Sequence, residues 1–250
     1  MECFIVEQRN VHEERSELLL EGDEAHHVKV LRVRTGERIL ATNLIGTCYE
    51  CTIEELTTVA KRELRMRCRI ERVLPNYGEP ANRVSLIQGL LGQPARWEWL
   101  LEKATELGVQ IIQPVTTERT ERSTINISRS ERVLMAAVKQ TKRANKPWLK
   151  ELSSLTEALS QAVTDGCELY LMHEAASLRT EADWLSVLRE RHSKRIAVAI
   201  GPEGGFSEGE VERASKDFGA QVVSLGRRRL RAETAAIAAL TLIVRDDPEV

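Results

Sequence analysis

The sequence contains no run of about 18 apolar residues that could span a bilayer. Its start, Met1-Glu-Cys-Phe-Ile-Val6, lacks the basic end and long apolar core of a secretion signal, so a cytoplasmic location is the expectation. No Gly-x-Gly-x-x-Gly follows a strand-like segment, which argues against a nicotinamide dehydrogenase. Cysteine is sparse: five residues, an odd count without regular spacing, suit a reducing compartment. Cys48 and Cys51 stand in a β-like stretch, where residues three apart face opposite sides of the strand. No second Cys or His pair at zinc spacing lies nearby, so ordinary strand cysteines and no metal site are expected. Internal repeats and low-complexity segments are absent.

At 250 residues the chain can bury a substantial core in one large domain or two modest ones. The net charge of −2 taken as an average argues against nucleic-acid binding, but the average hides local clusters. Basic residues gather at Lys29 to Arg38, Lys61 to Arg72, Lys139 to Lys150 and Arg227 to Arg231. Acidic residues gather at 174–190 and in the tail Asp246-Asp247-Pro-Glu249. Local patches decide phosphate binding, although any one cluster can equally be a solvated helix face.

The first seventy residues read as short strands (Phe4 to Glu7, Ser16 to Leu20, Arg38 to Asn43, Thr47 to Glu55, Glu63 to Val73), the pattern of a small barrel. Asp23 is placed to cap a helix carrying His26, His27, Val30 and Leu31. Pro75-Asn-Tyr-Gly-Glu-Pro80 then interrupts all periodicity, so residues 1–74 are expected as a β-barrel domain, 75–82 as a linker and 83–250 as a second domain. Beyond the linker, strands and helices alternate: Val84 to Gln88, a helix buried through Trp97, Leu100, Leu101, Ala104 and Leu107, then Ile111 to Val115. Helices follow at Arg129 to Arg143 and Leu155 to Val163, with a strand at Glu168 to His173 and a helix at Trp184 to Glu190. This is the rhythm of a mostly parallel α/β sheet.

Two strand-to-helix junctions close the chain. The apolar run Ile196 to Ile200 stops at Gly201-Pro202, passes through Gly204-Gly205 and restarts as a helix whose Ser207 and Glu210 have capping-box spacing. The second junction leaves Val222-Val223-Ser224-Leu225 at Gly226, carries Arg227, Arg228, Arg229 and Arg231, and enters an alanine-rich helix at Glu233-Thr234. Side by side, two such turns make a polar, anion-tolerant cleft. Four arginines crowded at one turn repel one another without an anionic partner.

Ile200-Gly-Pro-Glu-Gly-Gly-Phe-Ser-Glu208 and Leu225-Gly-Arg-Arg-Arg-Leu-Arg-Ala-Glu-Thr-Ala235 together resemble the signature of the RsmE-type 16S rRNA uridine-N3 methyltransferases of the SPOUT superfamily. Glu102-Lys-Ala-Thr-Glu-Leu-Gly108, Thr117-Glu-Arg-Thr120 and Gly22-Asp-Glu-Ala-His-His27 continue the resemblance upstream. It implies a PUA-like β-barrel that binds RNA, and an α/β methyltransferase domain tied in a trefoil knot. It also implies S-adenosyl-L-methionine as cofactor, 16S rRNA of the small ribosomal subunit as partner, and a homodimer. The alanines of the last helix (Ala235, Ala236, Ala238, Ala239) would permit close packing of two copies.

Carried over to this chain, the cofactor site comprises His173, Ile200, Gly201, Gly204, Gly205, Leu225, Gly226, Leu230, Glu233, Thr234 and Ala235. Glycine turns let backbone N–H and C=O groups reach a ligand. Arg231 is the expected catalytic residue, stabilising charge as uracil N3 loses its proton. Glu233 is a conceivable proton acceptor, although a Glu-Thr pair opening a helix is also explained by capping and the helix dipole. RNA contacts are expected at Arg9, His26, His27, Arg32, Arg119, Arg122, Gln140, Arg143 and Arg228. The chain departs from the family's pattern at Glu2-Cys-Phe-Ile5, Gln93-Pro-Ala95 and Lys139-Gln-Thr-Lys-Arg143. The rival readings are a SPOUT 2′-O-ribose RNA methyltransferase, disfavoured by Leu230-Arg-Ala-Glu-Thr234, and a nonenzymatic rRNA-binding assembly factor.

Overall fold

The computed structural model describes the chain apart from residues 60–62, 122, 175–183, 191–192 and 246–250. It divides into two compact units, one formed by Met1–Glu79 with Val138–Lys146, the other by Pro80–Ala137 with Pro147–Val250. The sequence expectation drew one cut at 75–82. The chain instead continues as strand to Pro75, turns, passes to the second unit at Pro80 and sends residues 138–146 back to the first.

The first unit is a six-stranded sheet made of β1 (Cys3–Ile5), β2 (Val11–His12), β3 (Glu17–Glu21), β4 (Arg38–Thr42), β5 (Thr47–Val59) and β6 (Glu63–Pro75). Helix α1 (Gly22–Leu31) follows β3. The order is β1-β4-β5-β6-β3-β2, parallel only between β1 and β4. Inward residues of five strands, among them Phe4, Leu18, Ile39, Ile53 and Met66, form one apolar cluster, so the sheet wraps around its own core. Period-two alternation sets this up: Leu64, Met66, Cys68 and Ile70 are buried while Arg65, Arg67 and Arg69 point outward. Those arginines do not form a free basic patch. Arg65 pairs with Glu21 at 2.6 Å, Arg67 with Glu55 at 3.1 Å, Arg69 with Glu71 at 2.9 Å, and Arg72 on the same strand with Glu50 at 3.4 Å. Asp23 lies within the first turn of α1, which starts at Gly22, and Val30 is exposed. Burial pushes the Cys3 and Cys68 thiols up to about 12 and Cys48 to about 11, so these strand cysteines are neutral at physiological pH.

The second unit is a parallel sheet of β7 (Arg83–Gly89), β8 (Ile111–Thr116), β9 (Trp148–Leu149), β10 (Ser153–Ser154), β11 (Glu168–Met172), β12 (Arg195–Ile200) and β13 (Gln221–Val223). Its order is β10-β8-β7-β12-β11-β13, with β9 also on β8. The helices are α2 (Pro94–Glu106), α3 (Ile127–Thr141), α4 (Leu155–Thr164), α5 (Trp184–Arg189), α6 (Glu208–Phe218) and α7 (Ala232–Arg245). Alternate residues of β12 feed two cores. Ile196, Val198 and Ile200 pack with residues of α2, α5 and α7, while Ala197 and Ala199 pack with α4 and α6. The sheet is thus covered on both faces, which is why its central strands read as continuous apolar runs.

Helix α2 begins with Pro94 in its first turn and buries Trp97, Leu100, Leu101 and Ala104, one stripe at helical spacing. Capping boxes start α4 (Ser154 with Glu157) and α6 (Ser207 with Glu210). In α7, Ala236 and Ala239 are fully buried in the core of their own unit, so these two alanines are not available to a second copy. No helix among the described residues is long and apolar enough to cross a membrane.

Candidate active site

In a parallel sheet the loops that leave the carboxyl ends of the strands converge on one edge, where ligands bind. Here the loops after β7, β8, β11, β12 and β13 surround a cavity of about 530 Å³. Its wall comprises Gln93 and Arg96 after β7, Arg119 after β8, and Met172 to Glu174 after β11. Ile200 to Phe206 follow β12, and the arginine turn with the start of α7 follows β13.

The glycine turn is built against Arg119. The Arg119 guanidinium donates to the Gly204 carbonyl at 2.9 Å, and a Cβ on Gly204 would lie 2.9 Å from the Cβ of Arg119. Any side chain at 204 would therefore push Arg119 out of place. From the buried strand end, Gln88 Nε2 donates to the Gly201 carbonyl at 3.3 Å.

At the arginine turn, Gly226 has φ +107°, a conformation other residues rarely adopt, and its N–H donates to Ser224 Oγ at 3.1 Å. Space in front of Gly205 and Gly226 is open: a Cβ on either would meet nothing within 4 Å. The Arg231 carbonyl accepts from Ala235 N–H at 2.8 Å, so Arg231 forms the entrance to α7 with its side chain exposed at the cavity wall. Arg229 pairs with Glu174 at 3.3 Å; among the described residues no carboxylate pairs with Arg228 or Arg231.

Of the residues expected at a cofactor site, the structure brings His173, Ile200, Gly201, Gly204, Gly205, Leu225, Gly226, Leu230 and Ala235 to this wall. Thr234 is exposed and Glu233 is buried, and neither lines the cavity. Glu233 takes both its oxygens to the guanidinium of Arg96: Nε donates to Oε1 at 2.9 Å, and a terminal nitrogen donates to Oε2. Burial alone would raise this carboxyl. The Arg96 hydrogen bonds, the residue's own N–H and the charges of Arg96 and Arg231 outweigh it and hold the group below the usual carboxylate range. Both oxygens of Glu233 are thus engaged by Arg96 and the group is held in its charged form, an ion pair at the start of α7.

Of the residues expected to touch RNA, Arg119 and Arg228 line the cavity. Arg9, His26, His27, Arg32 and Gln140 are exposed on the first unit, Arg9 paired with Glu7 at 2.6 Å and His27 edge-on to Phe4. Arg122 lies outside the described residues. Arg143 contradicts the expectation. It is 1% exposed, and its fork closes on Glu79 with contacts of 3.2 and 2.6 Å, which ties its charge to a carboxylate inside the first unit.

Sequence reasoning missed Arg96 altogether. One signal pointed to it: an arginine in the first turn of a helix sits at the end where the dipole disfavours a cation, so it calls for carboxylate partners.

A polar, glycine-framed cavity at the carboxyl edge of a doubly covered parallel sheet defines an α/β enzyme that takes a ligand of cofactor size. The chain belongs to the RNA methyltransferase family. The RNA methyltransferase domain matches residues 78–244, and the RNA methyltransferase PUA domain matches residues 20–58. The ribosomal RNA small subunit methyltransferase E of Bacillus subtilis is 28% identical over 92% of this chain and 91% of its own length. The protein of the same name from Rickettsia conorii is 27% identical over 92% and 90%. Among solved structures, the ribosomal RNA small subunit methyltransferase E of Neisseria gonorrhoeae bound to S-adenosyl methionine is similar with a TM-score of 0.78. It is 26% identical and covers 96% of this chain and 95% of its own.

Proposed function

We propose that this protein methylates N3 of a uridine in 16S rRNA of the small ribosomal subunit, with S-adenosylmethionine as donor, in the cytoplasm. One observation carries the reading: the glycine turn and the arginine turn, the two segments that resemble the family signature, frame a single cavity of about 530 Å³. That size suits a cofactor, within the range of roughly 300 to 1,000 Å³ of small-molecule sites. The open faces of Gly205 and Gly226 leave backbone groups within a ligand's reach.

When bound, S-adenosylmethionine supplies an electrophilic methyl group on a sulfonium. This chain's own residues supply the rest. The backbone of Gly201 to Gly205 and Leu225 to Leu230, with His173, Ile200 and Ala235 at the sides, holds the donor. Arg119 and Arg228 border the same opening and take phosphate or base of the RNA. Uracil N3 gains a carbon and gives up its proton, and negative charge grows on the ring as that proton departs. Arg231, exposed at the cavity wall and unpaired by carboxylates among the described residues, is placed to stabilise that charge. With Glu233 committed to Arg96, the proton passes to water. Arg9, His26, His27, Arg32 and Gln140 give the first unit its RNA contacts. The trefoil-knotted path and the homodimer belong to the same reading and rest on the family resemblance.

Mass-spectrometric mapping of rRNA nucleosides, with and without the protein, tests the proposal. An N3-methyluridine in 16S rRNA that depends on the protein is the expected result. A ribose 2′-O-methyl at that position, or no difference, would overturn it.

A further inference from the structure

Arg96 lies in none of the segments that carry the family resemblance, yet it joins three of the loops that build the cavity. Nε and one terminal nitrogen close on Glu233, at the start of α7, as described above. The other terminal nitrogen donates to Glu203 Oε1, in the glycine turn, at 2.9 Å. Glu203 in turn accepts the N–H of Gly92, just before α2, at 3.2 Å and 3.3 Å through its two oxygens. One guanidinium thus ties together segments that are 107 and 137 residues away in the chain.

Helix formation does not account for this arginine, because the first turn of α2 is the end at which the helix dipole disfavours a cation. The two carboxylates do account for it. Only a planar fork can satisfy Glu233 with two parallel hydrogen bonds and still present a third nitrogen to Glu203. Glu233 and Glu203 are not equivalent partners. The Glu233 side chain is 10% exposed and the Glu203 side chain 38%, so the bond to Glu233 is the anchored one and the bond to Glu203 faces the opening.

We propose that Arg96 is a positioning residue. By gripping Glu233 and Glu203 together it fixes the distance between the glycine turn and the start of α7, and so the width of the cavity that receives the methyl donor. The inference rests on the reading of the cavity as a donor site. It makes Arg96 and Glu233 a single energetic unit: once either is removed, the other has nothing left to position.

The experiment is a double-mutant cycle over wild type, Arg96→Met, Glu233→Gln and the double variant, with Arg96→Lys alongside. Two quantities are read for each protein: the melting midpoint without ligand, and the calorimetric affinity for S-adenosylhomocysteine. Each single variant is expected to bind at least tenfold more weakly. The double variant should be no weaker than the worse single variant to within threefold, and its melting midpoint should be similarly non-additive. Arg96→Lys should fold and recover only part of the affinity, because a point charge cannot span both carboxylates. If Arg96→Met does not fold, the comparison of Arg96→Lys with wild type decides in its place. Affinity losses that multiply in the double variant overturn the proposal. So does a lower melting midpoint with affinity within twofold of wild type, which is the result for a merely structural pair. Absence of binding to wild type sinks the donor reading itself, and with it the ligand half of the inference, whereas the melting cycle still reports whether the two residues act as one.

Discussion

Gly89, the last residue of β7, touches Pro202 of the glycine turn so closely that a Cβ on Gly89 would lie 2.4 Å from both the proline nitrogen and its Cδ. The neighbour is backbone and ring, neither of which can swing aside. Gly89→Ala is therefore expected to cost about 1–3 kcal/mol, the range for overpacking a filled site. Gly209→Ala in the first turn of α6 is the contrast. Its Cβ would make only ordinary contacts, with the end of the Arg213 side chain at 3.5 Å and Ser207 Oγ at 3.9 Å, and alanine favours the helix by up to about 1 kcal/mol. Urea denaturation of both variants checks this. Equal stability of the two would refute the account of the turn.

Arg143→Met should destabilise the protein by about 3–5 kcal/mol, because Glu79 would remain buried with its charge unmatched. Removing both charges, as Arg143→Met with Glu79→Gln, should recover much of that loss. The measurement is again a denaturation midpoint, read together with RNA affinity. A variant as stable as wild type that binds RNA more weakly would return Arg143 to the RNA surface.

The Glu233 carboxyl is held below its ordinary value of 4.5 in the folded protein. A depressed carboxyl contributes stability that is fully present above the unfolded-state value and disappears as pH falls through the folded-state value. The gap in melting temperature between wild type and Glu233→Gln should therefore be widest at pH 5 and above and should close as pH drops below 4.5. A gap that stays constant from pH 7 to pH 3.5 would show that the ion pair is not its source.

Replacing Arg231 with Ala should reduce turnover by about 100- to 1,000-fold at saturating RNA and donor, the usual loss on removing one preorganised donor to developing charge. A residue that only held phosphate would instead lower RNA affinity and flatten its salt dependence, with turnover intact. Single-turnover rates and affinities at two salt concentrations separate the two roles.

Much of the second unit was legible before any coordinates. Strands buried on both faces appear as apolar runs, and Gly-Pro or Ser-Leu-Gly marks where they end, so both turns of the cavity could be located from residues 196–207 and 222–235. The short strands β9 and β10 were not legible, since two residues carry no period. Charge was the poorest guide. Arg143 and Arg67 sit in basic stretches of sequence, but their partners Glu79 and Glu55 are placed opposite them only by folding. Arg96 stayed hidden for the same reason, because its meaning depends on two carboxylates more than a hundred residues downstream.

The return of residues 138–146 to the first unit sets an order of events during synthesis. Thr42 Oγ1 donates to the Ala144 carbonyl, Gly46 N–H donates to the same carbonyl, and Arg143 neutralises Glu79. When the sheet of the first 79 residues has left the ribosome, each of those acceptors and charges still lies 60 or more residues back in the chain. At about 5–20 residues per second the wait lasts several seconds. The amino-terminal unit is therefore finished late, and a fragment cut after Glu79 would lack both the arginine and the Asn145 N–H that this carboxylate takes in the finished unit.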